Sequence, residues 1–162
     1  MTLGSVAGAL NESPTQIVSV SFISDITNSG NTGTKGLGFF MKCAQSYEDL
    51  KEPWSILYQG KLTPEKTPQF IGPHATVQAT CGFSIDQVKA MAAGKLFGYL
   101  MMDATYQDRL VDEWHKTQMT MKIAQIRLVE GMGPSGLGLN QVEVILTTYG
   151  SHNCADEECP SL

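Results

Sequence analysis

The sequence predicts a mainly β domain, a two-sheet antiparallel sandwich with one short inserted helix. Three observations carry this. Seven or so short segments alternate apolar and polar residues, turn signals separate them, and only one segment has helical character. A parallel α/β fold needs several amphipathic helices of about ten residues or more to cross between its strands, and one is found.

The alternation begins at Ile17. Val18, Val20 and Phe22 fall on one face and Ser19 and Ser21 on the other, the period-2 pattern of a half-buried strand. Asn28, Ser29, Gly30, Asn31, Thr32 and Gly33 follow and read as a hairpin-type loop, because Gly and Asn tolerate positive φ at little cost. Leu37, Phe39, Met41 and Cys43 alternate next. A shorter candidate strand carries Trp54, Ile56 and Tyr58. Pro64, Pro68 and Pro73 then mark an exposed connection, since proline has no N–H for a central ladder. A clear strand places Ala75, Val77, Ala79, Cys81 and Phe83 on one side.

The helix is expected over 85–93. Ser84 and Gln87 have the spacing of a capping box, Phe83 and Val88 that of a hydrophobic staple, and Gly94 supplies the left-handed terminus. Two long strands follow, over 96–106 and 114–126, joined by a polar segment. In the second, His115, Thr117, Met119, Met121 and Ile123 face one way and Lys116, Gln118, Thr120 and Lys122 the other, which reads as a sandwich edge. The Gly-rich stretch 131–138 is expected to be a flexible loop before a last strand over 142–148. The resulting division is a flexible segment over 1–14, a sandwich over 15–149 and a polar tail over 150–162. The number and spacing of strands fit the immunoglobulin-like kind of sandwich.

The bulk numbers restrict function. The chain has 162 residues, 42% hydrophobic and 17% charged, enough for one domain with a real core. Sixteen acidic against 11 basic residues give a net charge of −5. With no basic run, nucleic acid and anionic membranes are poor partners, because both require a positive patch. The most apolar stretch, 88–102, is broken by Lys89, Gly94 and Lys95 and is too short to span a bilayer. Residues 1–13 lack the charged and apolar regions of a signal peptide, which leaves a cytosolic protein or a targeting segment lying outside this sequence.

Three clusters invite chemistry. Asp103, Tyr106, Asp108, Asp112, Glu113 and His115 lie across two strand ends. Asp103, Asp108, Glu113 and His115 there are candidate acid and base groups of a glycan or ester hydrolase, and Asp108, Asp112 and Glu113 candidate oxygen ligands for calcium. The plainer reading is a solvated acidic loop. His152, Cys154 and Cys159 suggest zinc, but a structural site wants four ligands and the other cysteines are distant. Gly131, Gly133, Gly136 and Gly138 lack the Gly-Lys-Ser/Thr and following helix of a phosphate loop. No motif calls for a cofactor. Four cysteines allow three pairings. Alternation turns Cys43 and Cys81 inward on separate strands, and Cys154 and Cys159 are near neighbours, so the pairing expected is 43 with 81 and 154 with 159, with free buried thiols as the alternative.

A set of short motifs adds a resemblance. Asn28-Ser29-Gly30-Asn31-Thr32, Ile71-Gly72-Pro73, Ala92-Ala93-Gly94-Lys95-Leu96, Tyr106-x-Asp108 and His115-x-Thr117 occur in this order over about 17–126. Together they resemble a family of uncharacterised bacterial proteins in which N-terminal membrane helices precede an extracytoplasmic immunoglobulin-like domain. The chain departs from that pattern at Gly33-Thr34, Arg109-Leu110 and Met119-Thr120. The resemblance implies an extracytoplasmic domain anchored by a membrane segment outside this sequence and lends no established activity; the lack of a recognisable catalytic set in a sandwich is what points to a non-enzymatic binding or spacer module facing a protein or cell-envelope partner. An oxidising periplasm would permit both disulfides.

Overall fold

The computed structural model describes residues 2–12, 17–55, 69–108, 110, 113–133 and 136–159. Its elements are β1 (Thr2–Glu12), β2 (Ile17–Thr27), β3 (Thr34–Ser46), β4 (Gln69–Ile71), β5 (Thr76–Ser84), α1 (Ile85–Ala92), β6 (Phe97–Asp108), β7 (Trp114–Gly133), β8 (Gly136–Thr148), β9 (Cys154–Ala155) and a 3-10 turn (Asp156–Glu158). Strands β1-β2-β5 form one antiparallel sheet and β4-β3-β6-β7-β8 the other, with β9 added beside β7. The chain therefore crosses between sheets after β2, after β4 and through α1, the Greek-key path of an immunoglobulin-like sandwich.

Alternation builds the core between the sheets. Val20, Phe22, Ile26, Ala79 and Phe83 from one sheet meet Met41, Leu100, Met102, Ala104 and Ile123 from the other, and α1 closes one end with Val88 and Met91. Each strand presents every second residue inward, so one apolar stripe per strand suffices. The Cys43–Cys81 disulfide, with Cα atoms 5.4 Å apart, ties β3 to β5 and hence sheet to sheet. The helix has the expected capping box: Ser84 Oγ accepts from Gln87 N–H and Gln87 Oε1 accepts from Ser84 N–H at 2.7 Å. It stops where Gly94 takes φ +69.

Several expectations are corrected. The segment expected to be flexible over 1–14 contains β1, paired along β2. Residues 28–33 are not a hairpin but a crossover, because β2 and β3 lie in different sheets. Asn28 is the reason for the sequence there: buried, it donates from Nδ2 to the Thr32 carbonyl at 2.7 Å and to the Gly72 carbonyl at 3.2 Å, binding two crossovers together. Trp54 lies in a helical turn rather than a strand, and Ile56 and Tyr58 fall outside the described residues. The Gly-rich stretch is the closing end of a long hairpin, with Gly131 opposite Gly138 and Gly133 opposite Gly136. β7 is not a sheet edge; it lies between β6 and β8. The tail contributes β9, opposite Thr117 and Gln118.

Candidate functional site

The outer face of the larger sheet holds the densest buried polar chemistry. On β6 and β7 the residues turned away from the sandwich are Tyr99, Met101 and Asp103 and, across the ladder, Lys122, Thr120 and Gln118. Alternation would leave these in water, yet Tyr99, Met101 and Thr120 are fully buried. Two segments cover them. Residues 49–55 bring Trp54, packed with Met101, Ala44 and Phe40. Residues 150–159 bring His152, only 5% exposed.

A hydrogen-bonded line runs through this cover. Gln118 Nε2 donates to Asp103 Oδ2 at 2.6 Å, which turns Gln118 Oε1 toward His152 Nδ1 at 2.8 Å. Nδ1 is therefore the protonated nitrogen of the neutral ring. The imidazole stacks on Trp54 at 4.8 Å between centroids, and the indole N–H donates to Thr120 Oγ1 at 2.5 Å. Burial holds the His152 pKa below its ordinary value, against the pull of Glu52 and Asp103. Nearer the helix, Asp49 accepts from Lys122, Tyr99 and Tyr149. The hydrogen bond from Lys122 leads in lowering the Asp49 pKa. Burial pushes the Tyr99 phenol up to about 12, with Asp49 adding to it.

The candidate catalytic set of the hydrolase reading is not gathered. Asp103 stands opposite Gln118 and His115 opposite Tyr106; Gln118 and His115 are three residues apart on one strand and so face opposite sides of the sheet. Asp103 is buried against Gln118 and Thr105. His115 stacks on Tyr106 at 5.0 Å and pairs with Asp156 at 3.2 Å. Asp108 accepts from the Leu110 amide at 2.7 Å and so shapes its own turn, and Glu113 is exposed. Burial, helped by Asp156 and Asp108, raises the Tyr106 pKa. An open depression of about 530 Å³ beside this corner is lined by Glu113, Trp114, His115, Ala155, Asp156 and Glu158. Of the calcium candidates, Asp112 falls outside the described residues. Among the described residues no three His, Cys, Asp or Glu side chains converge as a metal site would require.

Cys154 and Cys159 are bonded to each other, Cα atoms 5.0 Å apart, so the zinc reading of the tail loses two of its three ligands. His152 instead belongs to the buried line. Sequence reasoning missed its partners Glu52, Trp54, Gln118 and Thr120, which come from other segments and leave no local pattern. Both expected disulfides are present and no cysteine is free. Disulfides of this kind belong to oxidising compartments outside the cytosol. Among the described residues no helix is long and apolar enough to cross a membrane.

No family model and no curated protein matches this chain. A crystal structure of a protein from Archaeoglobus fulgidus aligns with it at 12% identity and a TM-score of 0.34, over 75% of this chain and 94% of that one. A likeness that loose carries no argument about function.

Proposed function

We propose that this domain is a non-enzymatic binding or spacer module of a bacterial envelope protein, held outside the cytoplasm by a membrane segment beyond this sequence. The observation that carries the reading is the pair of disulfides, one of them joining the two sheets of the sandwich. Such a bond is kept only where thiols stay oxidised.

The residues behind the family resemblance also have structural work. Asn28 and Gly72 join two crossovers, Gly94 ends the helix, and Tyr106 stacks on His115. A motif set that specifies corners favours a scaffold over a catalyst, and the partner such a scaffold meets is a protein or another envelope component.

The test is to express the complete reading frame in a bacterium, fractionate the cells and block thiols with an alkylating reagent before lysis. Envelope-associated protein with all four cysteines protected supports the proposal. Cytosolic protein with four alkylated thiols overturns it.

A further inference from the structure

We propose that the open edge of β7 over 123–129 takes up an extended peptide of a partner protein as an added strand, with one apolar side chain of that peptide seated in a groove beside α1. The inference deepens the reading of the domain as a binding module and rests on it.

The edge follows from strand lengths. β6 starts at Phe97, and Tyr99 opposite Lys122 is its outermost pairing with β7 at that end. β7 continues to Gly133 with β8 on one side only. The lane beside it is not filled by β6, because the residues before Phe97 belong to α1 and the turn that follows it. Between Ile123 and Gln125 the ladder with β8 has a bulge, which bends β7 there. Backbone groups of a strand point alternately to its two neighbours, so every second residue from Gln125 to Val129 turns its N–H and C=O into the empty lane. Among the described residues no hydrogen bond reaches them from that side.

A groove of about 420 Å³ lies against this edge. Met91, Leu96, Phe97, Ile123 and Ile126 give it an apolar lining, and Lys122 adds one charged group. Its volume would suit a small ligand, but a row of backbone donors and acceptors at strand spacing is matched only by another extended chain. Edge and groove together have the features of strand addition, in which main-chain bonds hold the peptide and a pocket reads alternate side chains.

Charge selects the partner. Lys122 and Arg127 flank the edge, each facing one carboxylate, Asp49 and Glu143. Lys95, next to Leu96 in the chain, is exposed and has no ion pair among the described residues. The edge therefore carries an unbalanced positive charge in a protein of net charge −5, which favours a peptide with Asp or Glu beside its apolar anchor. A second copy of this chain, pairing edge to edge, would set that charge against itself.

The test starts from a phage-displayed library of random heptapeptides, panned on the disulfide-intact protein. Enriched sequences should share an apolar residue next to Asp or Glu. The best is synthesised with blocked ends, and amide hydrogen exchange is followed by NMR with and without it. In the free protein, alternate amides from Gln125 to Val129 should exchange fast. Peptide at about ten times its Kd should slow them about tenfold, while Leu100 and Met102 in β6 do not change. Two further forms of the peptide carry N-methyl groups, one at its odd and one at its even positions. Each blocks donors on one edge of the peptide only, so one form should lose affinity by about tenfold or more and the other should keep it. No common sequence, enrichment of basic peptides, or the same affinity change in both N-methyl forms overturns the proposal. Protection that appears in β8 instead also overturns it. So do Gln125 to Val129 amides that are all slow in the free protein, which would mean an edge already paired: by a second copy if dilution frees them, within the chain if it does not. None of these results touches the location of the protein or its disulfides, so failure of the peptide site and failure of the envelope reading are told apart.

Discussion

The two faces of β6 are buried equally well by opposite means. Inward, Leu100, Met102 and Ala104 meet apolar residues of the facing sheet, and their position follows from alternation alone. Outward, Tyr99, Met101 and Asp103 are buried under two irregular segments that supply Trp54 and His152. The inner face needs no specific partner chemistry, because burial of apolar area is non-directional. The outer face needs each hydrogen bond made, since a buried polar group without a partner costs about 1–3 kcal/mol. The inner core should tolerate changes that conserve volume, whereas the outer cover should fail on the loss of a single polar atom.

The two disulfides sharpen the contrast most. Cys43–Cys81 closes 38 residues and Cys154–Cys159 only 5. Replacing both members by Ala should cost about 4 kcal/mol for the first and about 2 kcal/mol for the second on a chain-entropy account. Urea unfolding of the two double variants checks this, and equal losses would show that the inter-sheet bond is no special clamp.

Gln118→Leu keeps the volume but strips Asp103 and His152 of their shared partner. A loss of about 2–3 kcal/mol is expected, against less than about 1.5 kcal/mol for Leu100→Met, a volume-conserving change in the inner core. Thermal unfolding of both decides whether the faces differ as argued.

Tyr99 gives a pH handle on the outer face alone. Its folded pKa of about 12 lies above the unfolded value of 10.0, so its contribution is complete below pH 10 and is lost as pH rises toward 12. Ultraviolet titration of the phenols should show a late-ionising group that disappears in Tyr99→Phe, the raised Tyr106 remaining in both proteins, and stability falling in that window; a Tyr99 that ionises near 10 contradicts the burial.

The smallest effect belongs to neither face. Ser84→Ala removes one half of the capping box and should lower stability by about 1 kcal/mol. No loss would mean that packing of Val88 and Met91 holds α1 without its cap.

Much of the molecule was legible in the chain because its signals are local. Thr76 to Ser84 alternates in exposure as its residues alternate in type, and Ser84, Gln87 and Gly94 bounded the helix correctly. One local signal went unread. The apolar positions Met119, Met121 and Ile123 resume at Ile126 and Leu128, a change of parity, and the ladder has a bulge there, between Ile123 and Gln125. The extra residue returns Ile126 and Leu128 to the core.

Alternation, turn chemistry and capping act within a few residues, so the sequence by itself determined the sandwich class, the helix and the inward direction of Cys43 and Cys81. Only the tertiary structure decided that 28–33 crosses between sheets, that the polar face of β7 is covered and that His152 meets Gln118. Those outcomes depend on contacts between residues 32 to 73 apart in the chain, and a polar residue reads the same in sequence whether water or another segment lies over it.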